Sequence, residues 1–177
     1  MLFILYKMAY IGLISDTHCV FDDCLKKFLE PVDQIWHAGD FGNIATVDAI
    51  ANFKPLTGVY GNCDDQQIRL CQPPVQWFEI EGMKILMMHI GGYPGRYDYK
   101  AMQLIYAHRP DIFICGHSHI LKVMNDKSLG MLVINPGAAG IEGFHQVRTA
   151  LRFRIENGTI KDMEVGEWEK KLSRPSF

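Results

Sequence analysis

The chain has 177 residues, 48% hydrophobic and 21% charged, and a formal net charge of −2 from 18 basic and 20 acidic side chains. This is the length and balance of one globular domain with its own core, which excludes disordered, collagen-like and membrane-embedded classes. With no run of Lys or Arg to face a nucleic-acid backbone, a small anionic ligand gripped locally is expected, and no long nucleic acid.

The chain opens on an apolar stretch, Leu2 to Tyr6, five residues long before Lys7. It is far short of the roughly 18 needed to span a bilayer and lacks the basic flank of a signal peptide. Residues 1–7 therefore read as an extra strand, a contact in a homo-oligomer, or an over-extended start before Met8. Tyr10 to Ser15 reads as a buried strand, Asp23 to Glu30 as an amphipathic helix closed by Pro31, and Gln34 to His37 as the next strand. That strand ends at Ala38-Gly39-Asp40-Phe41-Gly42, after which Asn43 caps a helix to Phe53. Leu56 to Tyr60 is a third strand, ending at Gly61-Asn62-Cys63-Asp64. This strand–helix alternation predicts a parallel sheet with polar residues at its strand ends, where open α/β sheets bind ligands.

After Pro73-Pro74 the pattern becomes a hairpin, Val75 to Ile80 and Lys84 to His89 about a Glu81-Gly82 turn. A helix from Tyr99 to Arg109 is stopped by Pro110, and the strand Ile112 to Cys115 runs into Gly116-His117-Ser118-His119. Four more strands follow without helices: Lys122 to Asn125, Met131 to Asn135, Thr149 to Ile155 and Thr159 to Val165. The whole predicts a single α/β domain over residues 1–177, with two mixed sheets packed together and helices outside. Five cysteines, an odd number without a C-x-x-C pair, read as reduced thiols of a cytoplasmic protein, with Cys24, Cys71 and Cys115 as packing residues.

Five polar clusters each follow an apolar strand: Asp16-x-His18, Gly39-Asp40, Gly61-Asn62, His89, and Gly116-His117-x-His119. Singly, such residues are usually caps or hydrogen-bonded structural histidines. Converging on one sheet edge, they offer four imidazoles, two carboxylates and an amide oxygen, too many donors for one cation and natural for two. In D-x-H and H-x-H, alternate side chains of an extended segment project the same way and can address one site.

The ordered pattern S-D-T-H, G-D, G-N-C-D, M-H, G-H-S-H and N-P-G, from Ile11 to about Gly140, resembles the calcineurin-like metallophosphoesterase superfamily. Its small bacterial and archaeal phosphodiesterases are the nearer likeness. The resemblance implies a four-layer α-β-β-α sandwich of two mixed sheets flanked by helices. It also implies one metal held by Asp16, His18, Asp40 and His119, and a second held by Asp40, Asn62, His89 and His117, with Asp40 bridging. Asp40, Asn62, Cys63, Asp64 and His117 would form the catalytic centre. Two cations about 3.5–4 Å apart lower the pKa of a shared water from 15.7 towards ~7, so the expected chemistry is phosphodiester hydrolysis by a metal-bridging hydroxide. Nitrogen and oxygen donors without thiolate suit Mn foremost, with Zn, Fe or Ni as alternatives.

The wider superfamily has G-N-H where this chain has Cys63, a variant shared with the small phosphodiesterase branch. A thiol is a poorer proton donor to the leaving group than imidazole, so a preference for good leaving groups is expected. His145 and Arg148, after the N-P-G turn, are candidate phosphate contacts, as is the backbone at Gly91. His37 reads as a second-layer histidine and His108 as a charge at a helix C-terminus. The competing readings are an interaction scaffold like the eukaryotic retromer subunit of this fold, and a nuclease. The first loses metal ligands that are all present here, and the second lacks a basic patch.

Overall fold

The computed structural model describes residues 8–170. Strand β1 (Ala9–Ile14) is followed by α1 (Asp23–Leu29), β2 (Gln34–His37), α2 (Ile44–Phe53), β3 (Leu56–Gly58) and α3 (Gln66–Cys71). Then come β4 (Val75–Ile80), β5 (Met83–Met88), β6 (Gly92–Tyr93), β7 (Arg96–Tyr97), α4 (Tyr99–His108) and β8 (Ile112–Ile114). Strands β9 (Leu121–Asp126), β10 (Met131–Pro136), β11 (Val147–Glu156) and β12 (Thr159–Glu169) complete the described chain.

Two five-stranded sheets run in the orders β12-β11-β1-β2-β3 and β4-β5-β8-β10-β9, and β6-β7 forms a small hairpin apart. In the first sheet β1, β2 and β3 are parallel, with β11 and β12 added antiparallel. In the second β5, β8 and β10 are parallel, between antiparallel β4 and β9.

Strand periodicity explains how the layers stack. Ile11, Leu13, Trp36, Ile85, Met87, Ile112, Ile114, Leu151 and Phe153 form the core between the sheets. The alternate residues Tyr10, Ile14 and Ile35 face outward onto Leu25, Leu29, Val47 and Ile50 of α1 and α2. On the far side Leu86, Met88, Phe113 and Val133 meet Ala101 and Ile105 of α4. Because the central strands are covered on both faces, they read as unbroken apolar runs rather than alternating ones. The four-layer sandwich expected from the sequence is thus the one observed.

Each helix begins on an Asp or Asn whose carboxylate or amide oxygen accepts a backbone N–H of the first turn: Asp22 from Leu25, Asn43 from Thr46, Asp65 from Ile68, Asp98 from Lys100 and Ala101. Among the described residues no helix is long and apolar enough to cross a membrane.

The structure adds two elements and corrects two expectations. Helix α3 escapes sequence reading because only Ile68 of its six residues is buried, leaving no periodic stripe. The β6–β7 hairpin occupies the glycine-rich stretch after His89 through only two paired positions. Cys115 packs in the core as expected, but Cys24 and Cys71 are exposed, so they are not packing residues. The five polar clusters also sit at the ends of strands from both sheets, not along the edge of one. The extra segment 1–7 lies outside the described residues.

Candidate metal centre

Asp16 and His18 follow β1, Asp40 follows β2, Asn62 follows β3, His89 follows β5, and His117 and His119 follow β8. Backbone hydrogen bonds lace these ends together: Asp16 N–H to Gly39 O at 2.9 Å, His18 N–H to Asp40 O at 3.2 Å and Gly116 N–H to His89 O at 2.9 Å. The last of these joins the β5 and β8 ends within the second sheet, and His89 Nδ1 to Ala38 O at 2.7 Å links that sheet to the first at the site.

Ten non-glycine residues among those described have positive φ, and five of them are Asp16 (52°), His18 (43°), Asp40 (59°), His117 (68°) and His119 (58°). Each left-handed non-glycine residue costs on the order of 1 kcal/mol or more, and such strain persists only where surroundings over-determine it. Its concentration on five of the seven predicted ligands singles out this loop cluster as the candidate site.

The carboxylates of Asp16 and Asp40 lie at the centre. His119 Nε2 is 3.1 Å from Asp16 Oδ1, His89 Nε2 is 3.2 Å from Asp40 Oδ2 and 3.9 Å from Asp16 Oδ1, and His18 Nε2 is 4.0 Å from Asp40 Oδ2. Three sets of donor atoms lie within 4.8 Å of one another: Asp16 with His18 and His119, Asp16 with Asp40 and His89, and His18 with Asp40 and Cys63. His117 stands alongside, its ring 5.3 Å from that of His89, while its backbone N–H donates to Asp16 Oδ2 at 3.1 Å. Asn62 sits on the rim, where its Nδ2 is 3.3 Å from Cys63 Sγ.

Two buried atoms at this centre, Asp16 Oδ1 and His89 Nε2, have no hydrogen-bond partner. A buried polar atom left unpaired costs about 1–3 kcal/mol, so a native pair of them facing each other calls for a ligand. The donor set of carboxylate oxygens and imidazole nitrogens suits a divalent transition ion. His89 Nδ1–H donates to Ala38 O at 2.7 Å, so in the neutral ring Nε2 is the free lone-pair donor, aimed at the carboxylates, as a metal-ligating imidazole requires.

Burial opposes ionisation of Asp40, but His89 and the Cys63 N–H outweigh it and hold the carboxyl below its ordinary range. Burial likewise works against the charge on Asp16, and the neighbouring imidazoles of His119 and His89, with the hydrogen bond from Ser15 Oγ, outweigh it and hold its pKa below the ordinary value. Both carboxylates are therefore anionic at neutral pH. Cys63 is pushed up to about 11, first by partial burial and then by Asp40, so it stays a thiol.

Several sequence expectations meet a different geometry. Asp64, expected in the catalytic centre, is buried, and both its oxygens are occupied by backbone amides: Asp40 N–H at 3.0 Å and Gly61 N–H at 2.8 Å on Oδ2, Gly42 N–H at 3.0 Å on Oδ1. It positions the Asp40 and Gly61 turns and has no oxygen free for a reacting group. Gly61 must lack a side chain, because a Cβ there would collide with Asp40 Oδ1. Gly91 is likewise set by packing, since its Cβ would lie 2.6 Å from the Phe113 ring and 2.7 Å from Cys115 Cβ. The substrate role expected of Gly91 therefore has a plainer cause.

Arg148 is not a phosphate contact. It is 5% exposed, its Nε donates to Ala139 O at 2.7 Å and its Nη1 pairs with Asp22 Oδ2 at 2.8 Å. His145 also turns both ring nitrogens to protein, Nε2 to Gly140 O at 3.1 Å and Nδ1 to His119 Nδ1 at 3.3 Å. His145 thus has no ring nitrogen left to grip substrate, and the remaining Arg148 nitrogen, Nη2, has no partner but is buried. Arg148→Ala is accordingly expected to lower stability by about 2 kcal/mol, measured by denaturant midpoint, with KM unchanged. Partial burial works to raise the Asp22 pKa, but Arg148 and the Leu25 N–H hold it below its ordinary value. The stabilisation is thus present at neutral pH and lost as pH falls through that lowered value, so the two proteins converge in acid.

His37 is the second-layer histidine expected: it is fully buried, accepts from Gly39 N–H at 3.1 Å, faces Thr17 Oγ1 at 2.9 Å and stacks on Phe41. Desolvation drives its pKa down to about 3, so it is neutral. His108, in the last turn of α4, packs its ring against Trp77. Sequence reading quoted Asn135 only as part of the N-P-G pattern and gave it no role; its Nδ2 donates to Gly116 O at 2.7 Å and Ser118 Oγ at 3.1 Å and so holds the G-H-S-H turn. An amide closing an otherwise apolar strand was the available signal.

Three cavities border the centre. One of about 320 Å³ is lined by Tyr93, Arg96, Tyr97, His117 and Lys122, a second, about 330 Å³, by Tyr60, Asn62, Arg69 and His89, and a third, about 400 Å³, by His117, His119, Phe144 and His145.

The sequence pattern of the calcineurin-like phosphoesterase superfamily domain matches residues 9–158. A probable metallophosphoesterase of Methanothermobacter thermautotrophicus is 29% identical over 140 residues, which are 72% of this chain and 76% of that one. Two solved structures share the fold. A conserved uncharacterized protein of Streptococcus pneumoniae, described as a predicted phosphoesterase, has a TM-score of 0.65 at 19% identity, over 93% of this chain and 91% of that one. Entamoeba histolytica Vps29 complexed with zinc has a TM-score of 0.60 at 20% identity, over 89% and 98% of the two chains.

Proposed function

The chain belongs to the calcineurin-like phosphoesterase superfamily, and from that premise we propose that it is a dinuclear metal-dependent phosphodiesterase acting on small diesters in the cytoplasm. The observation that carries this reading is the unpaired, buried couple Asp16 Oδ1 and His89 Nε2 among four imidazoles and two anionic carboxylates. Asp16, His18, Asp40 and His119 would hold one ion, and Asp40, Asn62, His89 and His117 the other, with Mn the first choice. Bound there, the ions would supply a water ionised near neutral pH and neutralise the charge that grows on the phosphate oxygens.

The protein's own contribution is positioning. Asp64 and the strained turns hold Asp40 between the two sets of imidazoles. The Cys63 N–H occupies Asp40 Oδ1 at 2.8 Å and leaves Oδ2 towards His89 and His18. The first two of the cavities bordering the centre suit the two ester groups of a diester, each with cationic and aromatic side chains on its walls. His117 reaches into the first, so it is the imidazole placed to meet a phosphate oxygen there.

The test is a panel of aryl diester, aryl monoester, cyclic nucleotide and single-stranded DNA, each with Mn, Zn, Fe or Ni. Aryl diester is expected to turn over fastest. Across diesters of rising leaving-group pKa, kcat/KM is expected to fall by roughly tenfold or more over about 3 pKa units, because the Cys63 thiol is a weak proton donor at neutral pH. A flat series would remove the idea that proton donation is lacking. The scaffold reading has its own support, since a Vps29 with this fold is known in complex with zinc, and metal binding alone does not separate the two. Saturation with each ion and no turnover of any substrate would decide for the scaffold.

A further inference from the structure

We propose that His145 is a positioning residue that fixes the tautomer of His119 and so presents His119 Nε2 as a metal donor; this rests on the metal reading above. The deduction runs from hydrogen-bond chemistry. Gly140 O can only accept, so the His145 nitrogen 3.1 Å from it, Nε2, carries the proton. In the neutral ring Nδ1 is then a bare acceptor. The atom 3.3 Å away is His119 Nδ1, which must donate the proton between them. His119 Nε2 is left to face Asp16 Oδ1 at 3.1 Å, on the metal side.

The relay is braced from outside. Gly140 N–H donates to Asp16 O at 3.0 Å, tying the start of the loop to the β1 ligand turn, and Lys170 Nζ donates to Gly143 O at 2.6 Å. The two rings meet edge to face with centroids 5.2 Å apart and interplanar angle 75°. Outer partners of this kind orient a ligating imidazole and raise its basicity, and their removal typically weakens metal affinity about 10- to 100-fold.

The experiment compares the full chain with His145→Ala and His145→Asn, using zinc as the diamagnetic probe. In Asn the side-chain oxygen stands near the place of Nδ1 and can still accept. His145→Ala is expected to weaken zinc binding about 10- to 100-fold, and His145→Asn to recover most of it. Nitrogen-15 NMR of the parent is expected to show His119 protonated at Nδ1 with Nε2 bare in the zinc-loaded protein. Unchanged zinc affinity in His145→Ala, equal loss in both variants, or His119 bare at Nδ1 in the parent overturns the inference. If the parent binds no zinc, the metal reading fails instead. The relay is then read in the metal-free protein, where a His119 Nδ1 proton slow to exchange in the parent and fast in His145→Ala supports it and equal exchange overturns it.

Discussion

Asp40→Asn is expected to leave a folded protein that hydrolyses aryl diester at least about a thousandfold more slowly in kcat/KM, a loss of roughly 4 kcal/mol of transition-state stabilisation. The substitution keeps volume and an oxygen able to accept from the Cys63 N–H, so the turn survives. What goes is the negative charge between His89 and His18, on the one carboxylate proposed to touch both ions. Without it two dications would face each other across a neutral amide, so the bound metal should fall from two equivalents to one or fewer. Stability of the metal-free protein is expected to stay within about 1 kcal/mol of the parent. Elemental analysis, a denaturation midpoint and initial rates together check the prediction, and retention of both metal equivalents with full activity would sink the dinuclear reading.

The second large effect is expected at Asp64, through stability rather than chemistry. Asp64→Ala leaves the amides of Asp40, Gly42 and Gly61 without their shared acceptor in a buried turn. Three lost bonds to a charged acceptor, partly relieved by water entering the gap, should cost about 2–4 kcal/mol, or roughly 5–15 °C in Tm for a domain of this size. Asp64→Asn should cost less, because one oxygen can stay with the Asp40 and Gly61 amides while the new NH2 faces only Gly42. Metal affinity should fall in the same order, since Asp64 holds Asp40 at its left-handed φ of 59°. Calorimetric melting with metal titration of the two variants gives the answer. An Asp64→Ala protein that melts with the parent yet loses catalysis would return Asp64 to the catalytic centre.

These two carboxylates illustrate what can and cannot be read from order along a chain. G-D and G-N-C-D both mark strand ends, and nothing local to either separates an Asp that faces the centre from one that clamps its backbone. The difference is made by three amides from two strand ends: those of Asp40 and Gly42, 24 and 22 residues before Asp64, and that of Gly61, three residues before it. Arg148 and His145 make the same point. Residue type suits both to phosphate, but Asp22, 126 residues earlier in the chain, and His119, 26 residues earlier, engage them first.

The sequence by itself determined the layers and the family. Side chains alternate with period two along a strand whatever the tertiary context, so successive residues of each apolar run had to face opposite layers, and the structure decided which layer each met. The motif order from Asp16 to His119 likewise carried the superfamily, whose pattern covers residues 9–158. Only the tertiary structure decided how the polar residues divide between the site and its supports. Burial, hydrogen-bond partners and strained φ are set by contacts between segments far apart in the chain, and a strand-end Asp, His or Arg acquires its role from whichever distant group reaches it.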